Sequence, residues 1–423
     1  MSFYLNLNMN QLARSLHLLA AMFIAAILLN GCGGGGGSSG SGAAMGSVNV
    51  QLTDAPSCGY DHVFITVDHV AISSDGNSWT TIPVSASVTQ PIDLLNLTNG
   101  LMLTLGAAPL PAGTYEQVRL VLKPNNGSNP PFANSLVLTG STTPIALTTP
   151  SAQQSGYKIL GPFTVQAGTT TDLVLDFNAC KSIVVAGASG KYLLKPVVTA
   201  TAQAVSGTIS GFALAGSQVS AYAEPAGTFI TGTFVPTGSA SGQFNLGPIL
   251  ESNAAPGSSV DVVIVPPATS GQGTIVIQGV PVAASNTTWI SPSDGTSYFN
   301  GTLSTASIIN AASGTVTVAG SPGAANLAAN QTVTSTTRTY EIAANISAPL
   351  TGIYSLPLAA SGPWLGTYSG IITTTPIPLT QDTAVTDAGV YSIVASDALS
   401  TSAPQSANVS AGAVTGLNFF LSQ

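Results

Sequence analysis

Charge is what this chain has least of. Asp, Glu, Lys and Arg together supply 6% of its 423 residues, against roughly 25% in an average soluble domain. Only 8 residues are Lys or Arg, and they are scattered. No basic stripe exists to neutralise phosphates, so nucleic-acid binding is excluded as a function class. Of 3 histidines, His17 lies in the N-terminal stretch, which leaves His62 and His69 for acid–base or metal chemistry. Glu and Lys are too sparse for a helical protein. The hydrophobic fraction is an ordinary 44%, and Ser, Thr, Asn, Gln and 45 Gly supply the polar surface. That mixture reads as short strands joined by small-residue turns. The formal charge of −8 becomes one unit more negative if the leader carrying Arg14 is removed.

Long apolar runs are also missing. The run from Leu18 to Leu29 has twelve residues and as a helix rises only ~18 Å, short of a ~30 Å hydrocarbon core. It fits the apolar segment of an export signal. Leu29-Asn30-Gly31-Cys32 follows directly. With an aliphatic residue at −3 and a small one at −1, it resembles a bacterial lipobox. The resemblance implies cleavage before Cys32, a diacylated Cys32 thioether and an acylated new amino group, the membrane being one partner. The alternative is an ordinary export signal with a chance cysteine. Several acyl chains give stable anchoring where one is marginal. Ten Gly and Ser residues, 33–42, then form a tether with an r.m.s. span of roughly 15–20 Å. Gly33, where lipoprotein sorting reads Asp as retention, implies the outer membrane, on its periplasmic face or at the cell surface.

Cysteine usage supports export. Beyond Cys32 there remain only Cys58 and Cys180, which in an oxidising compartment read as one disulfide. The alternative is two unpaired buried thiols.

From residue 46 the pattern becomes alternating strands, with Ser47-Val-Asn-Val-Gln-Leu52 having period two. Val63–Val67, 70–72, 115–122, 136–138, 163–165, 172–177 and 192–199 repeat the signal, while 109–113, 124–131 and 187–190 read as breaks. Asp75-Gly76 marks a turn before Trp79. Residues 92–104 suggest a short helical turn around Leu94, Leu95 and Leu97. This spacing predicts an all-β fold, two or three β-sandwich domains on the Gly/Ser tether behind a lipoprotein signal peptide.

A family resemblance rests on Leu52-Thr-Asp-Ala-Pro56, Tyr60-Asp-His-Val63, Ser74-Asp-Gly-Asn-Ser-Trp79 and Ile92-Asp-Leu-Leu95. Leu110-Pro-Ala-Gly-Thr-Tyr115 with Arg119, Asp176-Phe177 and Leu194-Lys-Pro196 complete it. In order and spacing they are similar to the domain of unknown function 4382, a β domain of bacterial surface lipoproteins with no established activity. The resemblance implies that Cys58 and Cys180 share one domain.

After residue 203 the strand series restarts with Val205-Ser-Gly-Thr-Ile209, Gln218-Val-Ser-Ala-Tyr222, Gly242-Gln-Phe-Asn-Leu246 and Val260-Asp-Val-Val-Ile-Val265. This stretch resembles a carboxypeptidase-regulatory-like (prealbumin-type) sandwich. A third series starts at Ser313-Gly-Thr-Val-Thr-Val318 and ends at Leu417-Asn-Phe-Phe-Leu421. The expected division is 1–31 signal peptide, 32–45 lipidated cysteine and linker, 46–203 first β domain, 204–300 prealbumin-type sandwich and 301–423 C-terminal β domain.

Chemistry is sparsely signalled. Asp54, Asp61, His62, Asp68 and His69 form the densest titratable group. Read as one strand, His62 and Asp68 share a face and His69 takes the other, an awkward geometry for one metal. No G-x-S-x-G elbow occurs, and Gly187-Ala-Ser-Gly-Lys191 lacks phosphate-loop spacing. No D-x-D-x-D-G calcium run occurs, and the closeness in sequence of Asp382, Asp387 and Asp397 is the one hint toward calcium. Arg119 with Asp176 is the expected edge ion pair, and Trp79, Trp289 and Trp364 read as core or as sugar-stacking residues. No catalytic residue, metal ligand or cofactor is assigned. The expectation is a non-enzymatic, lipid-anchored envelope protein for binding or adhesion, with a glycan or protein ligand. The rival is an envelope enzyme or metal-dependent hydrolase using Asp61, His62, Asp68 and His69.

Overall fold

The computed structural model describes residues 44–54, 59–150, 156–186, 191–237, 242–251, 259–292, 307–370, 377–384 and 387–422. Cys32, Cys58, Pro56, the Gly/Ser tether and Gly187–190 lie outside them. The fold is all-β in several sheets, as the strand spacing predicts.

Three sheets use only residues 45–202. In one, Met45–Asp54 lies between Thr170–Phe177, parallel to it, and Leu103–Pro111, antiparallel. The alternation read at Ser47–Leu52 is the cause: Val48, Val50 and Leu52 are buried while Ser47, Asn49 and Gln51 are half-buried. All three sheets close over one core that includes Leu52, Ile65, Leu94, Phe177 and Tyr192.

Prolines changed two expectations. The break read at 109–113 narrows to Ala112, because the strand Leu103–Pro111 runs to the second proline and Gly113–Leu122 starts the next. Leu103–Pro111 is a sheet edge, where a missing N–H costs no ladder bond. Conversely 192–199 is not one strand: it splits at Pro196 into Lys191–Leu194 and Val198–Ala202, which join different sheets. A third change is at Thr66. Tyr60–Ile65 and Val67–Ser73 belong to separate sheets, and Asn134 and Ala133 hold Thr66 where the chain crosses. The Asp75-Gly76 turn and the short helical turn, Leu94–Asn96, are present.

Residues 206–292 form a three-stranded sheet and most of a six-stranded one. The latter is completed by Trp364–Thr367, parallel to Ile275–Pro281, and by Thr380–Gln381. The sequence division at 300/301 is therefore crossed by one sheet. The run Val260-Asp-Val-Val-Ile-Val265 shows why the sheet sits centrally. Val260, Val262 and Ile264 pack into one core, and Val263 into the core of the C-terminal module. A strand covered on both faces loses the usual polar alternation. The C-terminal module itself is two four-stranded sheets. At Gly314 a Cβ would stand 1.9 Å from the Leu417 carbonyl, so the closing segment approaches as only glycine permits.

Candidate functional site

The titratable group expected around His62 and His69 does not assemble. His62 lies on Tyr60–Ile65 and contacts Asp93, Nδ1 to Oδ2 2.7 Å. His69 contacts its chain neighbour Asp68, also at 2.7 Å. Asp61 accepts the Gly140 N–H at 3.0 Å. The one-strand reading fails because Thr66 separates two sheets. Among the described residues no three His, Cys, Asp or Glu side chains gather as a metal-holding group.

The expected Arg119–Asp176 pair is also replaced. The Arg119 guanidinium sits 3.7 Å from the centre of the Trp79 ring, a cation–π contact. Asp176 lies in the interior, where the Thr231 hydroxyl donates to it at 2.5 Å. Burial, opposed by that bond, raises its carboxyl to about 7. Trp289 stacks on Phe212 at 6.1 Å, and Trp364 packs against the core of the second module.

The other family-like motifs are mechanical pins. Asp54 accepts the Ala179 N–H at 3.0 Å and Thr53 donates to the Leu97 carbonyl at 2.9 Å. Asp93 caps the Leu94–Asn96 turn. Tyr115 donates to the Pro111 carbonyl at 2.8 Å and stacks on Phe163 at 5.5 Å. Asp75 binds the N–H groups of Ser78 and Asn77, which hold its carboxyl at about 2.

Two seams join the modules. At the first, Asn99 has a left-handed backbone (φ 60°). Its N–H donates to Thr233, its amide to the Gln243 carbonyl, and it accepts the Asn245 N–H at 2.7 Å. Lys181 lies over the Phe229 ring at 3.8 Å, close in sequence to the Asp176–Thr231 bond. At the second seam, Arg338 meets Glu224 at 2.7 Å and also contacts Asp261. Tyr340 donates to Asp261 at 2.6 Å, and Ser259 donates to Glu224. Arg338 is the only Lys or Arg in residues 204–423, and it is used inside the protein. Burial pushes the Asp261 carboxyl up; for Glu224 the bonds from Ser259 and Arg338 outweigh burial and hold it down.

Next to the first seam is a crevice of about 720 Å³. Its sides are residues 162–171 of the first module and 285–287 of the second, and its floor is the short helix Gln203–Val205. Among the described residues, Asp172 is the only ionisable side chain lining it.

Residues 45–196 match the family described as Domain of unknown function (DUF4382). No curated protein matches the chain. Among solved structures the chain is similar to the Bacillus anthracis TIE protein, at 10% identity and a TM-score of 0.15, over 90% of this chain and 50% of that one. The chain thus spans about half the length of that protein.

The DUF4382 domain contributes Asn99, Asp176, Lys181 and one wall of the crevice, so the first seam and the cavity both involve it. Sequence reading missed Asn99, Glu224, Asp261, Arg338 and Tyr340. One signal was available: Asp261 interrupts an otherwise apolar strand, which demands a buried partner.

Proposed function

We propose that the protein is a lipid-anchored, non-catalytic binding or adhesion scaffold of the bacterial cell envelope, anchored through Cys32 and placed at the outer membrane. The observation that carries the non-catalytic reading is where the scarce charges go. Arg338, Glu224 and Asp261 join modules, Asp54 and Asp93 pin turns, and Asp176 lies in a seam. None of these faces the crevice with a nucleophile and a base in reach, the arrangement covalent catalysis needs. Residues 204–300 are in this reading a prealbumin-type module serving as a spacer.

Anchoring is supported by the twelve-residue apolar run ending three residues before Cys32 and by the Gly/Ser tether after it. The same destination supports a Cys58–Cys180 bridge. Cys180 is disulfide-bonded, and with Cys32 acylated the remaining partner is Cys58.

Metabolic labelling with palmitate tests the anchor. Wild-type chain takes up label and moves with the membrane fraction, and Cys32→Ser loses both. Undiminished label on Cys32→Ser refutes the assignment.

A further inference from the structure

We infer that the crevice between the DUF4382 domain and the second module binds a neutral, hydroxyl-rich carbohydrate chain. This names the ligand class of the scaffold proposed above and rests on that reading. The cavity, about 720 Å³, falls within the roughly 300–1,000 Å³ common for ligand sites.

Its chemistry selects the class. Among the described residues no Lys, Arg or His lines the crevice, so sulfated, phosphorylated or uronic polymers find no counter-charge there. The one carboxylate, Asp172, already accepts the Asn49 amide at 2.7 Å through one oxygen. The rest of the polar lining is hydroxyl and amide, groups that both donate and accept, as sugar hydroxyls do. Thr208 and Thr287 stand side by side in the parallel pairing of Ser206–Phe212 with Thr287–Trp289. Neither hydroxyl has a hydrogen-bond partner among the described residues. Part of the floor is apolar: Val205 is 51% exposed, and Met102 and Pro248 also line the crevice. A sugar ring has the matching division, C–H faces for the floor and hydroxyl edges for the walls.

The walls are held before any ligand arrives. Asn99 and the Asp176–Thr231 bond tie the two modules together, and the Ser285 N–H donates to the Ser206 carbonyl at 2.8 Å beneath the second wall. A site held in place in this way saves the ordering cost of closing on its ligand.

The test is affinity electrophoresis of the detergent-solubilised full chain in native gels. The gels contain dextran, hydroxyethyl cellulose or soluble starch as neutral polymers, polygalacturonate as the anionic one, and gelatin as the peptide. The expected result is retardation by at least one neutral polymer and by neither polygalacturonate nor gelatin. The double variant Thr208→Val/Thr287→Val should weaken apparent binding at least tenfold. Val205→Asp, at an exposed position, should do the same and keeps the test readable if the double variant unfolds. Retardation by gelatin or polygalacturonate alone, by no polymer, or unchanged in Val205→Asp would overturn the inference. Palmitate labelling at Cys32 is read on the same preparations, so a failed ligand and a failed anchor are told apart.

Discussion

Thr231 donates its hydroxyl to Asp176 at 2.5 Å across the seam between the first two modules. The carboxyl is buried away from water and no cation among the described residues stands against it, so burial raises it to about 7. It holds its proton in the folded chain at a pH where the unfolded chain has released it. Folded protein therefore binds more protons between about pH 4 and 7, and stability falls as pH rises through that window. Relative to Asp176→Asn, the wild-type chain should lose roughly 2–3 kcal/mol of stability between pH 5 and pH 8. Melting curves at several pH values check this, and the difference between the two proteins cancels the other carboxylates. Parallel pH profiles would show that Asp176 is not desolvated.

The second seam depends on one cation. Arg338→Ala leaves Asp261 and Glu224 without their counter-charge. It should destabilise the chain by about 3–5 kcal/mol, the cost of an uncompensated buried charge. The triple variant Arg338→Ala/Asp261→Asn/Glu224→Gln should recover much of that loss, since removing all charges removes the imbalance. Urea unfolding of the three proteins decides between this and simple loss of side-chain packing, which the triple variant would not restore.

The proposed Cys58–Cys180 bridge closes a loop of more than a hundred residues, worth ~4–5 kcal/mol in the chain-entropy account. Reduction should lower the melting temperature of the DUF4382 domain by several degrees. Thiol titration of the denatured, unreduced chain should find neither cysteine reactive, and two reactive thiols would exclude the bridge.

Much of the architecture was legible from period and punctuation. Alternation at Ser47–Leu52 and the Asp75-Gly76 turn are local, and local sterics decide them. The errors fell where the deciding atoms are distant in sequence. Pro109 and Pro111 look like breakers until the strand is seen to be an edge. His62 and His69 look like one site until Thr66 is seen to cross between sheets. Arg119 and Asp176 look like a pair until Trp79 and Thr231 are found next to them instead.

By itself the sequence determined the all-β class, the strand-and-turn punctuation of the first domain and the expectation of an export signal. These follow from side-chain period, backbone-restricting residues and the length of one apolar run, all short-range properties. Tertiary structure decided how the chain spends its few charges and where a cavity opens. Burying a charge is tolerable only beside a partner, and Arg338's partners Glu224 and Asp261 lie 114 and 77 residues away. Folding across such distances, over a shared sheet whose two faces are both covered, put several of the scarce charges into seams and left a crevice between modules lined mostly by hydroxyls and amides.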